Sequence, residues 1–142
     1  MEAKEYLEQT RYLDKRIESD MRELEALKEL SVSVRAIGFE ERNSTMPNTE
    51  APFIKCLALI AEMEDQIKTE LRQCTELKKE TMGVIMGVSD ICERMVLRYR
   101  YIQMMSWRQI SYELGTDVRT VRRWHEKALG DVVMPDNPTV VE

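Results

Sequence analysis

The sequence predicts an all-α protein: a long antiparallel helical hairpin of coiled-coil character, followed by a C-terminal helix-turn-helix. Three observations predict it. Only 5 glycines and 4 prolines occur in 142 residues, too few for a turn-rich sandwich, a barrel or a doubly wound sheet of this size. Charged residues make up 33% against 6% aromatics, the balance of long, solvent-washed helices with enough apolar content (43%) to fold. Apolar residues also recur in two stripes with alternating spacings of 4 and 3, the heptad pattern of helices that wind around a partner.

The first stripe consists of Tyr6, Thr10, Leu13, Ile17, Asp20, Leu24, Leu27, Ser31 and Val34. No proline or glycine interrupts Ala3 to about Val34, so a helix roughly 45 Å long is expected at a rise of 1.5 Å per residue. Asp20 on the seam either sets the register or marks a frayed contact. Gly38, Asn43, Ser44, Pro47, Asn48 and Pro52 then read as a mobile loop near residues 36–52. The second stripe runs Phe53, Leu57, Ile60, Glu64, Ile67, Leu71, Cys74, Lys78, Thr81, Ile85 and Val88. Two such helices joined by a loop fold back most simply as an antiparallel pair, so residues 1–88 are expected to form a hairpin and to drive homo-oligomerisation, with a dimer favoured. Gly83 and Gly87, each costing a helix about 1 kcal/mol relative to Ala, read as a hinge to the next domain, with close helix contact as the alternative.

Residues 89–130 carry the shorter helices. Ser89 can cap a helix beginning at Asp90, with Ile91, Met95, Val96 and Tyr99 on its apolar face. Ser106 and Gln109 have the spacing of a capping box. They open a helix that turns Trp107, Ile110 and Leu114 inward and stops at Gly115, the residue type that tolerates a left-handed backbone. Asp117 can cap a further helix over residues 118–129, with Val121, Trp124, Ala128 and Leu129 inward and Gly130 ending it. Two short helices joined by a tight glycine turn form a helix-turn-helix, whose second helix is placed to enter a DNA major groove. Ser111 stands where such motifs usually carry alanine. Residues 131–142, with Pro135 and Pro138, read as a flexible tail.

Charge is unevenly distributed. Residues 1–88 carry 13 Lys/Arg against 18 Asp/Glu, residues 89–130 carry 8 against 5, and the tail has three acids and no base. A basic patch confined to about forty residues is the electrostatic footprint of a small nucleic-acid reader. The candidate DNA-binding residues are Val118, Arg119, Thr120, Arg122, Arg123 and Lys127 on the second helix, with Ser106 and Arg108 at the start of the first. Arginine pairs with guanine, and valine or threonine meets a thymine methyl, so Val118, Arg119, Arg122 and Arg123 are assigned to bases. Ser106, Arg108 and Lys127 are assigned to phosphates. The competing reading for each arginine is a surface ion pair worth at most ~1 kcal/mol. His125 reads as a structural or phosphate-facing residue.

The stretch from Arg94 through Ser106-Trp107-Arg108-Gln109-Ile110 to Leu114-Gly115-Thr116-Asp117-Val118-Arg119-Thr120-Val121-Arg122-Arg123-Trp124 resembles the region-4 domain of bacterial sigma factors. More closely, it is similar to the ArpU-like transcriptional regulators of phages and prophages. The resemblance covers about forty residues; the first 88 fit only in character. It implies a phage-encoded, sequence-specific regulator that docks helix 118–129 near a promoter, with host RNA polymerase as a second partner. No aromatic-rich promoter-melting domain precedes the motif, which argues against a self-sufficient sigma factor. Two alternatives stay open: an accessory DNA-binding protein of phage packaging or recombination, and a coiled-coil protein-interaction module without DNA binding.

An enzyme is not expected, because no phosphate loop, paired-carboxylate arrangement or nucleophile–base set is present, and no cofactor or catalytic residue is assigned. Cys56, Cys74 and Cys92 form no CxxC and there is a single histidine, which argues against a disulfide framework or a metal site. No apolar run is long enough to span a bilayer. The opening Met1-Glu2-Ala3-Lys4-Glu5 lacks the order of a signal peptide, so a location in the cytoplasm of a bacterial host, near its nucleoid, is expected.

Overall fold

With no proline between residues 3 and 41, the chain is helical over that whole stretch as α1 (Ala3–Glu41). α2 (Glu50–Met86), α3 (Ile91–Tyr101), α4 (Trp107–Leu114) and α5 (Val118–Asp131) follow. The computed structural model describes the backbone of residues 1–41 and 50–142 and the side chains of residues 1–36 and 51–142. Among the described residues there is no strand.

Both ends of the loop expected near 36–52 are helical; its centre, residues 42–49, lies outside the described residues. α1 passes through Gly38 because one glycine costs only about 1 kcal/mol in a helix that otherwise favours continuing. α2 accommodates Pro52 in its first turn, where a proline's missing N–H has no helical partner to lose. Among the described residues no helix is long and apolar enough to cross a membrane.

The chain divides into two compact units: Met1–Asp14 with Gln73–Glu142, and Lys15–Arg72. The boundary expected at residue 88 therefore does not bound the C-terminal unit, which draws in the start of α1 and the end of α2.

In the Lys15–Arg72 unit, α1 and α2 pair antiparallel through Ile17, Ser31, Cys56 and Ile67, with Lys28 Nζ 3.9 Å from Glu64. Asp20 lies on the seam facing buried Glu70, whose Oε1 accepts from Gln66 Nε2 at 3.0 Å. Burial, then the Asp20 carboxyl, push the Glu70 carboxyl above its usual range. The second stripe needs correction here. Leu57 and Leu71 are exposed, and the buried positions are Cys56 and Glu70, one residue earlier. Both readings share Ile60 and Ile67; an acid pair on the seam, not a leucine, decides between them.

The other unit is organised by α3, which faces two apolar clusters at once. On one side Leu97 and Tyr101 pack with Tyr6 and Leu7 of α1, Ile85 and Val88 around the end of α2, and Ala128 of α5. On the other, Val96 packs with Ile110 and Val121. Ile91, expected on the buried face, is exposed, because the two clusters use the 96/97/101 side of the helix. The cap also shifts by one: Asp90 Oδ1 accepts from the N–H groups of Cys92 (2.9 Å) and Glu93 (3.1 Å), so α3 starts at Ile91 and Ser89 is not its cap. At Gly83 an added Cβ would meet nothing within 4 Å, so close helix contact is not the reason for that glycine. Gly87 closes the α2 end between buried Ile85 and Val88, with its N–H on the Val84 carbonyl.

Asp131, one residue past the expected stop at Gly130, ends α5. The segment beyond, expected to be a flexible tail, lies against this unit. Val132 and Met134 pack on the first cluster. Gln9 receives the backbone on both of its amide atoms: its Nε2 donates to the Thr139 carbonyl (2.9 Å) and its Oε1 accepts from the Val141 N–H (2.8 Å). A buried side-chain amide that satisfies two strand-like backbone groups gives the segment a fixed place, which proline content alone did not suggest.

Glu93 is fully buried in the first turn of α3, with neither carboxylate oxygen hydrogen-bonded. Burial raises its pKa above the ordinary 4.5, Asp131 and Asp90 raise it further, and Lys127 opposes them. A carboxyl raised on folding favours the fold most below its unfolded value and loses that contribution as pH rises through the folded one. Glu93→Gln is therefore expected to raise the thermal midpoint at pH 7.5 but not at pH 4, and melting curves across that range check it.

Candidate nucleic-acid interface

The α4–α5 pair is built by local signals at each end. Ser106 Oγ accepts from the Gln109 N–H (3.2 Å) while Gln109 Oε1 accepts from the Ser106 N–H (2.8 Å), the reciprocal pair of a capping box. Gly115 ends α4 at φ 63°, ψ 32°, a left-handed conformation that glycine adopts without a Cβ penalty. Ser111 makes its own contribution to this turn: its hydroxyl donates to the Thr116 carbonyl, and its carbonyl accepts from the Thr116 N–H at 3.1 Å. An alanine there could not make the first of these bonds. Asp117 Oδ1 then caps α5 by accepting from the Thr120 N–H (2.9 Å). Thr120, ahead of Arg119 and Arg123, holds the Asp117 carboxyl below its usual range.

Val96, Ile110 and Val121 lock α3, α4 and α5 together, with Tyr99, Met105, Trp107, Leu114 and Trp124 packed around them. His125 is buried beside this cluster. Its Nε2 lies 2.6 Å from the Tyr101 hydroxyl, and its ring meets Trp107 edge-on at 4.8 Å. Burial, followed by the charges of Arg100, Lys4 and Arg122, lowers its pKa to about 4, so it is neutral at pH 7. Burial likewise pushes Tyr101 up to about 12. With Nδ1 3.9 Å from Glu126, the arrangement assigns the imidazole proton to Nδ1 and has the tyrosine donate to Nε2.

With the core so disposed, α5 leaves Arg119, Arg122, Arg123 and Lys127 exposed. Arg119, Arg122 and Arg123 fall three and four residues apart, which puts them on one helical face. Val118 and Thr120 are half-buried, and Thr120 serves the cap. At the start of α4, Arg108 is exposed and Ser106 is spent on its capping box. Of the eight residues singled out, the structure thus leaves the five basic ones with open side chains, four of them on α5.

Two further arginines were assigned no role in the sequence reading. Arg100, at the end of α3, lies with its Cζ 4.2 Å from the Trp107 ring centroid. Arg11 of α1 reaches the same place, donating from Nη1 to the Arg100 carbonyl at 2.8 Å. The net positive charge of residues 89–130 includes Arg100, but nothing local connects it to Arg11, 89 residues away.

No family model, no curated protein and no solved structure matches the chain.

The His125 environment has a pH consequence. A histidine whose folded pKa lies below its unfolded 6.5 costs stability as pH falls through that window. In a Glu93→Gln/Glu70→Gln background, which removes the two raised carboxyls with the opposing trend, unfolding free energy is expected to fall by as much as roughly 3 kcal/mol between pH 7 and pH 4. In the same background, His125→Phe is expected to flatten that slope while lowering stability at pH 7. Denaturant titrations at several pH values measure both.

Proposed function

We propose that this chain is a sequence-specific duplex-DNA-binding regulator of transcription, of the phage or prophage kind that its C-terminal stretch resembles. The observation that carries the reading is the exposed face of α5. Three arginines at helical spacing project from a helix that is capped at Asp117 and packed immovably by Val121 and Ala128 on its opposite side. A rigid helix of 14 residues with guanidinium groups on its free face has the dimensions and chemistry to enter a major groove. Arg119 and Arg123 are the residues to read guanines, each bidentate contact discriminating by about 1–3 kcal/mol. Val118, half-buried at the first turn, offers its methyls to a thymine; Arg108 and Lys127 hold phosphates.

The Lys15–Arg72 unit supports the oligomeric part of the reading. Met21, Leu30, Val32, Ile54, Leu57 and Leu59 are all exposed on it. Large apolar side chains left in water on a charged helical pair favour cover by a second copy, and a dimer would present two α5 helices to two half-sites. RNA polymerase is the partner through which such a protein would act on transcription.

Selection of bound sequences from a random duplex pool at moderate salt tests this. Wild type is expected to enrich a short motif, and Arg119→Ala/Arg123→Ala is expected to lose it. If wild type enriches nothing and shows no salt-sensitive retention on duplex, the DNA-binding reading is wrong and the helical pair as a protein-binding module replaces it.

A further inference from the structure

Three guanidinium groups gather at one spot, around the ring of Trp107 where α4 begins. Arg100 Cζ lies 4.2 Å and Arg122 Cζ 5.5 Å from the ring centroid. Arg11 and Arg100 both donate from Nη1 to the carbonyl of Met105, at 3.4 and 3.2 Å, so their terminal nitrogens share one acceptor. Among the described residues none of the three has a carboxylate within 4.0 Å; the ion pairs of the chain lie elsewhere. Tyr101 and Glu8 favour the charge on Arg100, each more weakly than Arg11 opposes it. Arg11 and Arg122 disfavour the charge on Arg100, which burial already disfavours.

Three like charges drawn together with no carboxylate at ion-pair distance are costly at these separations, more so where the groups are partly desolvated. The backbone works to maintain the arrangement. Met104 turns the chain at φ 56°, which aims the Met105 carbonyl at both guanidiniums, and Arg11 Nη1 also binds the Arg100 carbonyl at the end of α3. Arginine is the side chain suited to the oxygens of a phosphate, through planar paired donors; the backbone bonds use only Nη1 of Arg11 and of Arg100, which leaves the Nε–Nη2 edge of each for such a pair.

We infer that Arg11, Arg100 and Arg122 on Trp107 form a phosphate clamp, which takes a phosphodiester of the DNA backbone flanking the groove that α5 enters. The inference rests on the DNA-binding reading for its ligand. It also reassigns Arg122, which leans toward Trp107, from bases to backbone. Arg11 is the notable member, because it gives the N-terminal helix a direct part in holding DNA.

The test measures duplex affinity by fluorescence anisotropy as a function of salt, on a selected site and on a random duplex, for wild type, Arg11→Gln and Arg122→Gln. Arg122 is exposed and makes no hydrogen bond among the described residues, so its variant folds even where Arg11→Gln, which loses a helix-end bond, does not. A second arm follows the Trp107 indole NMR resonance on addition of inorganic phosphate. Each variant is expected to weaken binding about tenfold on both duplexes alike and to lower the slope of log K against log salt by about 1. If wild type binds duplex and both variants keep its affinity and slope, the clamp is wrong while the DNA reading stands. If wild type binds no duplex but phosphate shifts Trp107 in wild type and not in Arg11→Gln, the phosphate site stands and DNA as its ligand is overturned. If neither ligand has an effect, both fall.

Discussion

Tyr101 lies buried where α1, α3 and α5 meet, and each part of it is occupied. Its ring belongs to the cluster with Tyr6, Leu7, Ile85, Val88, Leu97 and Ala128. Its carbonyl accepts from the Thr10 hydroxyl of α1 at 2.9 Å, and its own hydroxyl lies 2.6 Å from His125 Nε2 on α5. The His125 ring in turn sets the position of Trp107 at the start of α4. Burial holds tyrosine protonated and histidine uncharged, so the hydroxyl has a bare ring nitrogen to donate to, and neither buried partner carries an uncompensated charge. The rotation of α5 about its axis, and hence which of its residues face outward, follows from this joint together with Val121 and Ala128.

Charge then separates by element. The acids of α1 and α2 lie along helices whose partners are each other, and the seam even accommodates an acid pair at Asp20 and Glu70. Basic groups collect on the outer side of α5 and at the α3–α4 turn, where among the described residues no carboxylate lies within 4.0 Å of an arginine. The same packing that half-buries Val118 and Trp124 exposes Arg119, Arg122 and Arg123. The arginine-bearing face and the packing face are two sides of one helix, so a change to the buried side that rotated α5 would misplace the arginines without touching them.

Signals confined to four or five residues were legible in the sequence. The Ser106–Gln109 box, the Gly115 turn and the Asp117 cap each depend on side chains that reach only their own backbone neighbourhood, and each stands where its spacing placed it. The long helices were legible too, because a stripe repeated over many turns outweighs one glycine or an early proline. Less legible was the choice between two registers of α2 that share Ile60 and Ile67: hydrophobicity favoured Leu57 and Leu71, but packing chose Cys56 and Glu70. Ser89 and Asp90 are both good caps, and only the geometry of the preceding turn selects the aspartate. Contacts across 74 to 132 residues left no trace in local patterns. Tyr6 with Glu80, Arg11 with Arg100 and Gln9 with the backbone of Thr139 and Val141 belong to that class. For that reason the candidate interface read from the sequence included α5 but neither Arg100 nor Arg11.

The account stands most directly on where duplex DNA touches the protein. An NMR titration of the full chain with a short duplex, following backbone amides and arginine side chains, measures this without knowledge of the preferred sequence. The expected result is perturbation concentrated on residues 118–127 of α5 and on the turn from Arg100 to Arg108, with little change over Lys15–Arg72. Perturbation confined to Lys15–Arg72, or none at low salt, would contradict the claim that the free face of α5 is the DNA-binding surface.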